Sequence, residues 1–325
     1  MRVGTISAVL HIWSVTFPFF ALVLLGYGAA RRALLPHSAI PGLNSFVLYF
    51  ALPCMLYRFG ASTPVAQLLD ATLLAVYLAC SLVMVATTIW MTRRGRIGWN
   101  DAAFGALVAA FPNTGFMGVP LLVALLGAAA AGPAIVTMVI DMVVTSSLCI
   151  ALSRLDSAGQ HGAGHAAQLA LRGVIVNPLP WSIALGGLAS ATGFSLPAPI
   201  MDTAGMLANA ASPVALFTIG AVLARSQMHS AAVPLSCYVP VAIIKLVLHP
   251  LLVAGVGLGA IAAGLPLQPF TLKVLVLVAA LPSASNVALL AERFGADNGR
   301  IARIILLSTV LAFFSFSAAV KLLGS

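Results

Sequence analysis

Charge is scarce in this chain. Asp, Glu, Lys and Arg make up 7% of its 325 residues, with 7 acidic side chains against 16 Lys and Arg, while 61% of positions are hydrophobic. A soluble globule of that composition would lack polar atoms to cover its surface, so the implied solvent is lipid. The four cysteines, Cys54, Cys80, Cys149 and Cys237, sit in apolar stretches and form no C-x-x-C pair. That pattern indicates neither a zinc site nor a disulfide framework, and the four read as small packing hydrophobes. The absence of a G-x-x-x-x-G-K-S/T loop argues against a self-contained ATP-driven pump. Neither G-x-S-x-G nor H-E-x-x-H occurs. An intramembrane hydrolase would have to use Ser283 or Ser285 as nucleophile with His249 as base, so no catalytic residue, metal or cofactor is expected and the chain reads as a non-enzyme. The net charge of +9 comes from short clusters between apolar runs, which excludes the basic domain or tail of a nucleic-acid binder.

What is present is a succession of membrane-length apolar segments. About 20 apolar residues cross a bilayer, and charged, glycine and proline punctuation cuts the chain into ten: 9–30, 40–59, 66–91, 100–126, 132–153, 172–192, 199–224, 234–262, 269–294 and 300–322. The first is too long for a cleaved signal and is expected to stay as a helix. Lys and Arg accumulate in cytoplasmic connections. The odd-numbered connections hold eleven arginines, from Arg31 and Arg32 to Arg300 and Arg303, against Arg58 and Lys273 on the even side. That asymmetry predicts a multi-pass inner (plasma) membrane protein with both termini outside. The fold class expected is all-α, ten transmembrane helices.

Internal similarity divides the ten. Aligning Pro53 with Pro213 matches Leu56 to Leu216, Tyr57 to Phe217 and Gly60 to Gly220, and Pro112 aligns with Pro282 at a similar offset. Five spans per copy force the second copy to enter the membrane upside down, giving a 5+5 inverted-topology repeat. The copies are residues 1–153 and 172–325, joined by a Ser-, Gly- and His-containing cytoplasmic linker over 154–171.

Two segments are interrupted where a helix should run unbroken: Phe111-Pro112-Asn113-Thr114-Gly115-Phe116-Met117-Gly118-Val119-Pro120, and Leu281-Pro282-Ser283-Ala284-Ser285-Asn286. Pro112, Pro120 and Pro282 lack backbone donors and obstruct the preceding turn, and the glycines allow the chain to leave helical geometry. Unwound backbone at membrane depth is tolerated only inside protein or beside a wet cavity, and paired breaks of this kind mark transport sites. Asn113, Thr114, Gly115, Ser283, Ser285 and Asn286 are therefore the candidate substrate-binding residues. Each half-helix restarting after a break points a positive dipole end inward, which favours an anion without a formal charge. Ionisable residues in mid-span are the next candidates, since their burial is costly. Asp141, Lys245 and His249 qualify, either as a buried ion pair of Asp141 with Lys245 or as a charge-linked coupling device. Asp70, near a span end, is a fourth coupling candidate that helix N-terminal placement also explains.

The run from Pro112 to Leu122 resembles the fourth-helix motif of the auxin efflux carrier family, including its bacterial members. Lys245 to Pro250, Pro282 to Asn286 followed by Ala291-Glu292-Arg293-Phe294, and Asn44 to Pro53 are similar to that family's eighth, ninth and second helices. The resemblance implies crossed broken helices four and nine, a scaffold of helices one, two, six and seven, a moving part from the rest, elevator motion and homodimers. It also implies a small organic anion such as auxin, malate or malonate as substrate, with Asn113 and Asn286 binding it. A sodium-coupled symporter of the bile-acid type shares the inverted repeat and is the alternative carrier.

Overall fold

The computed structural model describes residues 2–62, 70–95, 97–155, 178–229 and 233–324. Most of these segments are helical. Helix α1 spans Arg2–Arg31, α2 His37–Ser62, α3 Ala71–Arg94 and α5 Ala128–Ser153. Between the last two lie α4a, Trp99–Ala110, and α4b, Thr114–Leu126. Then follow α6, Pro178–Thr192, α7, Ala198–His229, α8, Leu235–Ala262, α9a, Pro269–Ala280, α9b, Asn286–Arg293, and α10, Asn298–Gly324. Among the described residues six helices are long and apolar enough to cross a bilayer, and residues 17–31, 114–126 and 269–280 form shorter apolar helices. This is a multi-pass membrane protein. Helical structure stands at each of the ten apolar stretches, although 66–69 and 172–177 of the expected spans, and the expected linker from 156 onward, lie outside the described residues.

Packing sorts the helices into two groups. In one, α1 lies along α7 and α2 along α6, with α2 also against α7. In the other, α3 and α5 flank α4a, α8 packs on α3, α9a and α10, and α10 packs on α9a and α9b. The groups meet where α7 and α1 touch α10 and α4b. Apolar side chains give helices no reason to leave lipid, so close association needs small residues that let backbones approach.

The first group is joined by four such residues. A Cβ on Gly26 would stand 1.8 Å from the Phe217 carbonyl oxygen, and one on Gly220 1.9 Å from that of Val23. On the α2–α6 side, a Cβ on Gly186 would stand 2.4 Å from the Tyr57 carbonyl oxygen and one on Gly60 3.0 Å from that of Ile183. These contacts correspond residue for residue. Gly26, Gly60, Val23 and Tyr57 stand 160 positions before Gly186, Gly220, Ile183 and Phe217, so the α1–α7 crossing and the α6–α2 crossing have the same construction.

Among the described residues four helices carry a π-helical turn, a widening by one residue that recurs at functional sites. They are Val47–Ala51 in α2, Thr114–Gly118 in α4b, Asp141–Thr145 in α5 and Ile244–Leu248 in α8. Three of them carry or adjoin residues singled out from the sequence.

Because the glycine crossings have no room for a methyl group, Gly26→Ala and Gly220→Ala are each expected to destabilise the protein by about 1–3 kcal/mol. Gly28→Ala, where a Cβ meets nothing within 4 Å, should leave the detergent-solubilised melting temperature unchanged.

Candidate functional site

The two interruptions meet. Helix α4a ends at Ala110 and α9a at Ala280, and Pro112 and Ser283 then pair as an isolated antiparallel bridge. The Asn113 N–H donates to the Pro282 carbonyl at 2.8 Å, and the Ala284 N–H to the Phe111 carbonyl at 2.9 Å. Each break thereby satisfies the backbone groups that the other has released, which hydrocarbon could not do. The pairing register places Pro112 opposite Ser283, one position beyond the Pro112–Pro282 alignment read from sequence. In this antiparallel register Asn113 stands opposite Pro282 and Phe111 opposite Ala284.

A helix bond severed by the second break is replaced from two neighbouring helices. In an unbroken helix the Ser283 N–H would reach the Ala279 carbonyl. Instead it donates to Ser308 Oγ of α10 at 3.2 Å, and the Ala279 carbonyl accepts from Lys245 Nζ of α8 at 2.8 Å. Lys245 is fully buried and its ammonium also lies 3.0 Å from His249 Nδ1. This corrects one expectation. Asp141 and Lys245 form no direct ion pair, because the Asp141 carboxylate accepts from Tyr77 Oη at 2.8 Å and from Thr145 Oγ1 at 3.1 Å. The π turns shape both arrangements: Asp141 opens one, with the Ser146 hydroxyl donating to its backbone carbonyl at 2.8 Å, and Lys245 lies inside the other. The Tyr77 ring sits 6.1 Å from that of His249, so the two sets are adjacent in one buried polar cluster behind the crossing. Asp70 is placed elsewhere. It caps α3, accepting from the Leu73 N–H at 2.9 Å.

A narrow cleft opens beside the crossing, lined by Asn44 and Leu48 of α2, Phe116 of α4b, Ile219 and Val222 of α7, and Ser285 and Asn286 of the second break. No lining side chain is charged. Phe116 belongs to the first turn of α4b and Asn286 opens α9b, so the two restarting half-helices present their N-terminal turns to the same space. Ser285 and Asn286 are thus the two sequence-derived candidates that line the cleft. Asn286 Oδ1 is buried without a hydrogen-bond partner, and rotation of the amide would offer its N–H₂ instead. Asn113, Thr114 and Ser283 are buried at the crossing itself, and the Thr114 hydroxyl is turned to the Pro112 carbonyl at 3.5 Å. Gly115 lies where a Cβ would stand 3.0 Å from Met138 Sδ, so its lack of a side chain seats α4b against α5. Pro120 falls at the start of the regular part of α4b, where its missing N–H costs little. Asn44, Leu48, Phe116, Ile219 and Val222 were not among the candidates. Asn44 had a signal, being the one amide in its apolar stretch, but the α7 residues had none, since aliphatic side chains lining a cleft look like any other span. Among the described residues no three His, Cys, Asp or Glu side chains converge as metal ligands do.

Comparison with known proteins gives a consistent set of relatives. The profile of a family described as "Membrane transport protein" matches residues 11–161 and 165–320. The chain is 30% identical over 321 residues, 97% of each chain, to a Rhizobium meliloti (strain 1021) protein named "Putative malonate transporter". It is 27% identical over 284 residues to "Uncharacterized transporter YfdV" of Escherichia coli (strain K12), covering 85% of this chain and 86% of that one. It is 28% identical to "Auxin efflux carrier component 7" of Arabidopsis thaliana over 119 residues, 36% of this chain and 19% of the plant protein.

Lys245→Met removes the partner of a buried carbonyl and of His249, and is expected to cost about 1–3 kcal/mol of stability. Thr88→Val removes a buried hydroxyl that has no partner and should be neutral in the same thermal-unfolding measurement.

Proposed function

This chain belongs to the auxin efflux carrier family of membrane transport proteins, and from that premise we propose that it is a secondary carrier of small organic anions, carboxylates of the malonate or malate class, working by elevator-type alternating access. The observation that carries this reading is the shared cleft: the first turns of two interrupted helices face one uncharged space. Helix N-termini supply N–H groups and a positive dipole end, and Ser285 and Asn286 add a hydroxyl and an amide. A carboxylate entering there gains donors from both half-helices without having to displace a fixed counter-ion. The relative named for malonate supports the choice of class.

The architecture fits the same proposal. Ten spans in two inverted five-helix copies, residues 1–153 and 172–325, are supported by the matching glycine crossings and by the near two-fold pairing of the breaks. The group α1, α2, α6 and α7 serves as a scaffold and, through its lipid-facing side, as the homodimer contact. The group α3, α4, α5, α8, α9 and α10 carries the site past it. Asn113 and Thr114 belong to the site as supports of the crossing, with Ser285 and Asn286 meeting the solute. The buried set of Tyr77, Asp141, Lys245 and His249 is the coupling candidate, because Lys245 bonds directly to the last turn before the second break. The arginine asymmetry supports an orientation with both termini outside.

The test is flux and binding in purified protein. A panel of mono- and dicarboxylates should raise the melting temperature of the wild type through ligand linkage. At least one of them should be transported into proteoliposomes without added ATP. Asn286→Ala should weaken that binding by about tenfold or more, the cost of a lost hydrogen bond to a charged group. Intact binding and flux in that variant would remove the cleft from consideration as the substrate site.

A further inference from the structure

Helix α7 touches the second helix group at α10 and at the first turn of α4b. Ser212 and Ile219 lie on it. The Ser212 hydroxyl donates to the Phe116 carbonyl at 3.1 Å, and Ile219 lines the cleft. Asn209, three residues before Ser212 and so about 4.5 Å back along the axis, is on the same face. It is exposed, and its Oδ1 accepts from Arg58 Nη1 of α2 at 3.1 Å. The order along α7 is therefore Arg58 contact, crossing contact, cleft. Arg58 stands on the opposite side of the Ser212–Phe116 bond from the open cleft.

Arg58 is unusual on several grounds. It is the only Lys or Arg between Arg32 and Arg93, and it lies inside an otherwise apolar helix. It stands four residues before that helix ends at Ser62 and is exposed, at the even-side end of the span, where a long cationic side chain reaches toward the interface. Its partner here is a neutral amide, so the guanidinium's charge is not neutralised in the contact. Gly205, one turn before Asn209, also lies beside it, a Cβ there standing 3.9 Å from Arg58 Nη1, an ordinary van der Waals distance. The bond to Asn209 uses one of the five donors that an arginine offers, and its planar fork matches a carboxylate in a way that a single amide oxygen does not.

We propose that Arg58 is a second anion-binding residue of the carrier. It receives the carboxylate at the end of the path opposite the cleft, after the Ser212–Phe116 contact has parted. In the conformation described here Asn209 holds the guanidinium in place and the crossing seals it from the cleft. When the moving group slides along α7, Phe116 leaves Ser212, and the face carrying Asn209 and Arg58 becomes the wall of the newly opened side. A carboxylate arriving there displaces the neutral amide from the arginine, a charge-assisted pair replacing a charge–neutral one. The two access states would thus differ in chemistry, with amide and helix dipoles on the cleft side and a fixed positive charge on the other. This rests on the organic-anion reading given above.

The experiment measures half-saturation by radiolabelled malonate separately from each side of proteoliposomes whose protein orientation has been determined by protease accessibility. Arg58→Gln is expected to raise the half-saturating concentration about tenfold or more from the side of Arg58 and to leave the cleft-side value within about twofold. Arg58→Lys, which keeps the charge but not the fork, should show a smaller one-sided rise. Unchanged values on both sides, equal rises on both sides, or a fall in turnover alone would overturn the assignment and give Arg58 a structural role. Should Arg58→Gln fail to yield monodisperse protein, the Arg58→Lys comparison decides alone, a one-sided rise supporting the proposal and none contradicting it. Wild-type vesicles report on the underlying reading: absence of flux there overturns the anion carrier and Arg58's role together, whereas normal wild-type flux with an unaffected variant overturns only the latter.

Discussion

Everything in this molecule depends on one constraint, that backbone polar groups opened at membrane depth must find partners within the protein. Two helices are interrupted, and each supplies what the other lacks: Asn113 N–H to the Pro282 carbonyl, Ala284 N–H to the Phe111 carbonyl. The remaining loose ends are taken by Ser308 and Lys245 from the helices alongside. The crossing is thus the one place in the core where main chain can be left non-helical, and main-chain dipoles turned toward a ligand, without orphaned groups. Neither break is tenable alone, which gives a physical reason for their occurring as a pair.

That arrangement separates recognition from fixed charge. The cleft side chains are amides, a hydroxyl and apolar groups, while Asp141 and Lys245 are held behind the crossing by Tyr77, Thr145 and His249. A site built from dipoles binds an anion less tightly than one built around a buried arginine, and it carries no residual charge once emptied. Both properties suit the proposed carrier. The glycine crossings Gly26–Phe217 and Gly186–Tyr57 pack α1 on α7 and α2 on α6 backbone to backbone.

Membrane class, helical content and the two breaks were legible in the sequence because each rests on a strong local signal. Hydropathy over about 20 residues defines a span, and proline with glycine inside it marks an interruption. Pro53 with Pro213 and Gly60 with Gly220 suggested an internal correspondence, and the structure adds Gly26 with Gly186 through contacts that no pattern of single residues reveals. The pairing register of the breaks was out of reach, since a shift of one residue between Pro282 and Ser283 leaves every apolar pattern intact. The partners of Asp141 were hidden for a related reason. Opposite charges in two spans suggest an ion pair, but the carboxylate is instead held by a tyrosine one helix away and a threonine one turn on. The π turns that aim Asp141 and Lys245 have no sequence signature of the kind that proline gives a break. Ile219 and Val222 became part of the site only through the angle at which α7 passes the crossing.

The most direct test of the central claim is an experimental structure of the protein with a transported dicarboxylate bound. The account predicts the carboxylate between Ser285, Asn286 and the first turn of the helix that begins at Thr114, with the Pro112–Ser283 bridge intact and no Lys or Arg within bonding distance in the cleft-open state. A ligand seated against Lys245 with the bridge dissolved, or bound away from both interrupted helices, would contradict it.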